Sequence, residues 1–217
     1  WKANGQGSAN TDGSINTTYT SVNTTSGISI CKWSGSGANA TIGHGLGAVP
    51  KIIITKSMAS SSWCVYHASL GNTKTIFLES SGAGNTHVAY YNNTSPTSSV
   101  FTVGTDDAVN HSGNDMIAYC FANVKGYSKF GSYTGNGNAD GTFVYTGFKP
   151  AFIIFKRTSG SNANWQLWDN KRDTYNPTEK ALHPDIPNTA STDQDIDILS
   201  NGFKIRSDQG HFHYDLQ

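Results

Sequence analysis

Charge is scarce in this chain and favours neither sign. Lys plus Arg and Asp plus Glu number 15 each, charged residues make up 14% of the whole, and the formal net charge is zero. With no dense Lys/Arg run, the chain lacks the basic stripe that a nucleic-acid binder uses to displace counterions. Long apolar runs are missing as well. None approaches the ~20 residues that a membrane helix requires, so no membrane insertion is expected. Cysteine is sparse: three residues, an odd count that gives no disulfide framework. Cys31, Cys64 and Cys120 each sit in an apolar or aromatic run, such as Trp63-Cys64-Val65-Tyr66. They are read as buried free thiols, which points to assembly in a reducing cytosol. The opening Trp1-Lys2-Ala3-Asn4-Gly5 lacks the charged-then-apolar pattern of a signal peptide. Without an initiator Met, a fragment or a processed chain is expected. The sequons at Asn16, Asn23, Asn39, Asn92, Asn93 and Asn110 are read as products of an Asn/Thr-rich composition.

What the chain has is glycine, polar uncharged residues and aromatics. Gly contributes 23 residues, and aromatics reach 12% of a chain that is only 36% hydrophobic. Disordered chains are poor in aromatics, whereas here large side chains are available to fill a core. The pattern is one of short extended runs between Gly/Asn/Ser/Thr turns, which predicts a sandwich or barrel. No stretch of ten or more residues carries a helical apolar period.

The strongest internal signal is self-similarity. Trp33-Ser34-Gly35-Ser36-Gly37 aligns with Tyr133-Thr134-Gly135-Asn136-Gly137, an offset of 100 residues. The offset continues with Gly47 on Gly147, Pro50 on Pro150, Ile53 and Ile54 on Ile153 and Ile154, and Lys56 on Lys156. After a two-residue slip, Trp63 meets Trp165 and Tyr66 meets Trp168. So long a period is not that of a solenoid, whose units run to about 20–50 residues. The fold expected is all-β: a β-sandwich, jelly-roll or lectin-like, made of two tandem related repeats. Residues 1–27, poor in large apolar side chains, read as a linker or the end of a preceding domain, with an edge strand around Tyr19 to Val22. The first repeat is then 28–125 and the second 126–217. In the first, strands are expected at Ile28 to Ser34, Ala40 to His44, Lys51 to Lys56, Trp63 to His67, Thr75 to Glu79, Val88 to Tyr91, Val100 to Val103 and Met116 to Ala122. In the second they fall at Lys129 to Thr134, Thr142 to Thr146, Ala151 to Lys156 and Trp165 to Asp169. Residues 170–194 form a long irregular segment, of the kind that often carries function.

The run Thr41-Ile42-Gly43-His44-Gly45-Leu46-Gly47-Ala48-Val49-Pro50-Lys51 resembles an H-G-L-G-x-x-P-K element of bacteriophage tail fibres and related virion proteins. Asn92 to Phe101 resembles the same tail-fibre element, while Gly126 to Gly137 and Gly147 to Ala151 are similar to an uncharacterised β-rich domain of marine phage, cyanophage included; the resemblance covers about Trp1 to Arg206. It implies a component of a virion tail or surface appendage, assembled in the host cytoplasm beside other virion proteins, with a homotrimer as the expected state. Its work would be receptor binding: attachment to a host cell-surface glycan or protein. The alternatives are a purely structural virion or fibre-shaft module and, second, a polysaccharide depolymerase. Members of that family close the second unit with a strand like Met116 to Ala122. Here the chain ends in Gln209 to Gln217, so the last strand is expected to be atypical or truncated.

Signatures of catalysis are missing from the sequence. There is no Gly-x-Ser-x-Gly elbow, P-loop, His-Glu-x-x-His or Cys-x-x-Cys. Glycoside cleavage needs two carboxylates about 5–10 Å apart, and the only glutamates, Glu79 and Glu179, stand in unlike contexts. No enzyme activity is therefore expected. Asn136, Asn138 and Asp140 match the start of an oxygen-rich Ca2+ loop but lack the distal Glu; the competing reading is an Asx-rich hairpin turn. Asp193, Asp195 and Asp197 alternate, as on one strand face, and so do His211 and His213. Trp63, Tyr66, Trp165 and Trp168 are read as core rather than as a sugar-stacking face. Ligand contacts are expected instead in loops outside the repeat: Tyr90, Tyr91, Asn92 and Asn93, and Tyr175 with Asn176, where aromatic and amide groups suit a glycan.

Overall fold

The computed structural model describes residues 1–59, 61–160, 162–210 and 212. It is predominantly β, built from several antiparallel sheets. Two compact units emerge: residues 1–77 with 84–131, and residues 78–83 with those from Ser132 onward. This moves the expected boundary from 125 to 131 and hands 78–83 to the second unit.

Unit 1 contains β1 (Tyr19–Asn23), β2 (Ile28–Ser34), β3 (Ala40–Gly43), β4 (Ile52–Ser57), β5 (Cys64–His67), β6 (Lys74–Phe77), β7 (Asn85–Thr86), β8 (Val100–Val103) and β9 (Asp115–Phe121). Seven of them form one sheet in the order β1-β2-β9-β4-β5-β6-β7, while β3 and β8 pair separately. Period-2 alternation decides which side of each strand is buried. On β9, Met116, Ala118 and Cys120 are fully buried. On β2 it is Cys31 and Trp33. These join Ile42 of β3 and Phe101 and Val103 of β8 in one core. Trp33 meets Phe101 edge-on at 5.9 Å. All three cysteines are free and buried, as expected.

Two expectations for this unit fail. Residues 1–27 are not a linker. Ser8 and Thr20 exchange backbone hydrogen bonds of 2.7 and 3.3 Å, and the Ile15 amide donates to the Thr41 carbonyl at 3.1 Å. Glycine permits this close approach, because a Cβ on Gly7 (φ +76°) would fall 2.1 Å from the Thr20 oxygen. Val88–Tyr91 is not a strand but a single helical turn, α1. His87 caps it by accepting from the Ala89 amide, and Asn92 closes it in the left-handed region (φ 47°), which asparagine tolerates. A second turn, α2 (Asp107–Asn110), is capped by Asp106. Asn110, fully buried, spends its side chain on Trp33 Nε1, Ser36 and Ala38, so this sequon is structural.

Unit 2 contains β10 (Phe143–Tyr145), β11 (Phe152–Phe155), β12 (Gln166–Asp169), β13 (Ile196–Leu199) and β14 (Gly202–Ile205). They pair as β10-β14-β13 and β11-β12. Its core gathers Ile153, Trp168, Ile196, Ile198, Phe203 and Ile205. Trp168 stacks on Phe155 at 4.8 Å. The expected strand at 129–134 is not formed, although Tyr133 still packs edge-on against Phe155 at 6.0 Å.

The pairing registers of the two units correspond. In β4–β5, Ile53 faces Tyr66 and Thr55 faces Cys64; in β11–β12, Ile153 faces Trp168 and Phe155 faces Gln166. In β3–β8, Ile42 faces Phe101; in β10–β14, Val144 faces Phe203. Past those strands the His44 amide donates to the Ser99 carbonyl and the Thr146 amide to the Asn201 carbonyl. This second set runs at an offset of 102 residues, as from Phe101 to Phe203. At that offset Gly45 falls on Gly147, and both have positive φ. The loop from there to Pro150 is two residues shorter than the one leading to Pro50.

Candidate functional site

A cleft of about 530 Å³ opens in unit 2, between Asn164 and the loop from His183 to Gln194. The loop is tied down at both ends. Leu182 and Leu167 exchange two backbone hydrogen bonds of 2.9 Å, which add the start of the loop to β12. Ala181 and Ser191 exchange another pair, of 2.9 and 3.0 Å, near its far end. Between them Pro184 and Pro187 fix two φ angles. The core fastens the exit, where Trp168 Nε1 donates to the Gln194 carbonyl at 3.2 Å. The wall is therefore held before any ligand arrives, as in most small-molecule sites.

The lining is polar: the Asn164 and Asn188 amides, the Thr189 and Ser191 hydroxyls, the His183 imidazole, the Asp193 carboxylate and the Gln194 amide. Gln194 is only 3% exposed, and its Oε1 has no hydrogen-bond partner among the described residues. His183 Nδ1 lies 3.1 Å from the Trp165 carbonyl, so it carries the proton and Nε2 is left as an acceptor. Beneath, Asp185 accepts from the Trp165 amide at 3.2 Å. Lys156 donates to the carbonyls of Ser81, Arg157 and Ala163, bracing the residue before Asn164. Burial pushes the Lys156 ammonium down to about 8. Beyond Gln194 the alternation of Asp193, Asp195 and Asp197 runs outward while Gln194, Ile196 and Ile198 point inward. Burial pushes the Asp195 carboxyl up, and the neighbouring carboxylates of Glu179, Asp193 and Asp197 push the same way.

Residues 1–214 match a family described as a domain of unknown function (DUF7483). The chain belongs to that family. No curated protein and no solved structure matches it. In this DUF7483 domain, the cleft lies at the end of the irregular segment 170–194 that the sequence singled out, but its residues were not among those named for ligand contact.

The named residues are not brought together. Tyr90 and Tyr91 are buried in unit 1, at 9% and 6% exposure, and Tyr91 donates to or accepts from Thr75 Oγ1 at 2.8 Å. They are core, which corrects their reading as exposed contacts; α1 turns them inward. Asn92 and Asn93 are exposed, but both have positive φ, and Asn92 serves as the helix cap. Tyr175 is 86% exposed. Asn176 is committed to structure: its amide donates to the Ile198 carbonyl at 3.1 Å and accepts from the Ile198 amide at 2.9 Å. Three of the four repeat aromatics, Tyr66, Trp165 and Trp168, are buried, in line with a core role.

The Asn136–Asp140 loop closes as successive Asx turns. Asn136 Oδ1 accepts from the Asn138 amide at 3.2 Å, and Asn138 Oδ1 from the Asp140 amide at 2.8 Å. Asp140 faces Lys204 at 2.7 Å and Arg206 at 3.6 Å, and Lys204 holds its carboxyl below the usual range. This is the hydrogen bonding of the Asx-rich hairpin turn, with Asp140 paired to Lys204 and Arg206. No group of three or more His, Cys, Asp or Glu side chains arranged to hold a metal occurs among the described residues. The pair His211 and His213 lies outside those residues.

Proposed function

We propose that this chain is an adhesion module of a virion appendage and that it recognises a cell-surface glycan through the unit 2 cleft. The observation that carries the reading is a cleft on a tied-down loop, lined by amide, hydroxyl, imidazole and carboxylate groups. Sugar hydroxyls donate and accept at once, and amides and carboxylates on a fixed frame match them. The placement on a tail fibre rests on the resemblance of Thr41 to Lys51 to the tail-fibre element, and host receptor, other virion proteins and a homotrimer follow from it as partners. The fold that goes with this reading is a β-sandwich duplicated once. Its support is the shared core of the seven-stranded sheet with β3–β8, and the equal registers of the paired strands in the two units.

A glycan array and a cell-binding assay with the full chain test the proposal. Binding is expected, and Asn164→Ala and Gln194→Leu are expected to abolish it without lowering the melting temperature. Clean negatives from folded protein reject it. Burial of the cleft inside an assembled particle would move the reading to a shaft module.

A further inference from the structure

The unit 2 cleft is lopsided in charge. Its lining includes the Asp193 carboxylate and no Lys or Arg. Asp193 accepts from the Ser191 hydroxyl, and no cation pairs with it among the described residues. His183 adds a second acceptor, Nε2, because its Nδ1 faces the Trp165 carbonyl at 3.1 Å. The cations around the cleft turn to other groups. Lys180 faces Asp173 at 3.1 Å, and Arg206 faces Asp197 at 2.6 Å. Lys156 gives its ammonium to the Ser81, Arg157 and Ala163 carbonyls, with Asp185 acting on it as a counter-charge. Arg157 donates to the Asn162 and Gly210 carbonyls. Past Gln194 the carboxylates accumulate. After burial, it is Glu179, Asp193 and Asp197 that push the Asp195 carboxyl up, which marks a negative field at this edge of the cleft.

We propose that the cleft takes uncharged or amino-bearing saccharides and rejects those that place a carboxylate, sulfate or phosphate in it. The inference rests on the glycan reading of the cleft and adds the ligand's charge to it. Sugar hydroxyls and ammonium groups can donate to Asp193 and to His183 Nε2. An anionic group would enter without the Arg fork or Lys ammonium that such groups normally meet. It would also approach the Asp193 carboxylate, a charge of its own sign. Like charges a few Å apart near a protein surface repel strongly enough to weaken binding by about tenfold or more. Asp193 is therefore the specificity-determining residue: it accepts from the favoured ligands and repels the others.

Binding of the full chain to paired glycans tests this, each pair being a neutral glycan and the same glycan bearing one sialic acid, uronic acid or sulfate. The acidic member is expected to bind at least about tenfold more weakly at low salt. The gap is expected to shrink as salt is added, because screening weakens repulsion at an open cleft; rejection by shape alone would leave it unmoved. Asp193→Asn is expected to narrow the same gap, and if that variant misfolds the salt dependence of the unaltered chain decides. Equal or tighter binding of the acidic members, or a gap that salt does not move, overturns this proposal and leaves the glycan reading standing. Silence from neutral and acidic glycans alike overturns both.

Discussion

His44 Nδ1 accepts a hydrogen bond from the Leu46 amide at 3.2 Å. That contact puts the ring proton on Nε2, which lies 3.3 Å from the Thr97 carbonyl and donates to it. The ring is fully buried. Burial pushes its pKa down, outweighing the Thr97 carbonyl and Asp12, which act the other way. The same loop in unit 2 keeps the device with a neutral side chain, since the Phe148 amide donates to Thr146 Oγ1.

The pH dependence follows from the sign of that shift. The unfolded chain takes up the His44 proton near the usual pKa of about 6.5, whereas the folded chain does so only at lower pH. Between the two, the unfolded state binds more protons, so stability is full above about 6.5 and is lost as pH falls below it. His67, also lowered by burial, adds to the loss with the same sign. Denaturant melts across pH 5 to 8 should show this decline. His44→Asn, which retains an acceptor for Leu46, should flatten it; an unchanged slope would refute the assignment.

Residues 1–18 are expected to be part of the folded unit. Ile15 packs on the core, and Trp1 stacks edge-on against Phe121 at 5.2 Å. Deleting this segment should cost roughly 2–4 kcal/mol, the burial value of one to two large apolar side chains. Chemical denaturation of the truncated chain measures it; a midpoint equal to that of the full chain would return the segment to the status of a linker.

Calcium should leave the melting temperature unchanged to within about 1 °C, because a ligand that does not bind the native state does not shift unfolding. Lys204 and Arg206 occupy the charged side of Asp140. Thermal melts with added calcium and with chelator make the comparison. A rise that scales with calcium concentration would restore the ion to Asn136, Asn138 and Asp140.

Much of this fold can be read from local pattern, because a strand writes its burial into alternate residues. Ile53 and Ile153, with Tyr66 and Trp168 opposite them, are legible as paired strands, and the cysteines are legible as core. Val88–Tyr91 is not, since Val, Tyr and Tyr favour strands and only His87 and Asn92, acting as caps, turn the segment into a helix. The N-terminal segment was hidden because much of its attachment is made by backbone groups and close-approaching glycines, with Ile15 and Trp1 as its few large apolar contacts. The cleft was hidden for a related reason: Asn164 and Gln194 are 30 residues apart, and the backbone bonds of Leu182 and Ala181 bring them together. Amides at Asn92 and Asn176 look the same in sequence as those of the cleft. Only their partners distinguish a cap or a strand tie from a free acceptor.

Cys64 and Gln166 occupy equivalent places in the two hairpins, and their surroundings differ. The Cys64 thiol lies 3.0 Å from Thr75 Oγ1 and 3.4 Å from the Tyr91 hydroxyl, and burial pushes its pKa up to about 11. Gln166, 1% exposed, has no partner for either its amide nitrogen or its oxygen among the described residues. A buried polar group left unpaired costs about 1–3 kcal/mol. Gln166→Met has nearly the same shape without that cost, so it should raise unfolding free energy by about 1–2 kcal/mol. Cys64→Met should do the opposite, by overfilling a packed and hydrogen-bonded site. Urea melts of both variants decide it, and a loss of stability in Gln166→Met would show that the amide is paired in solution.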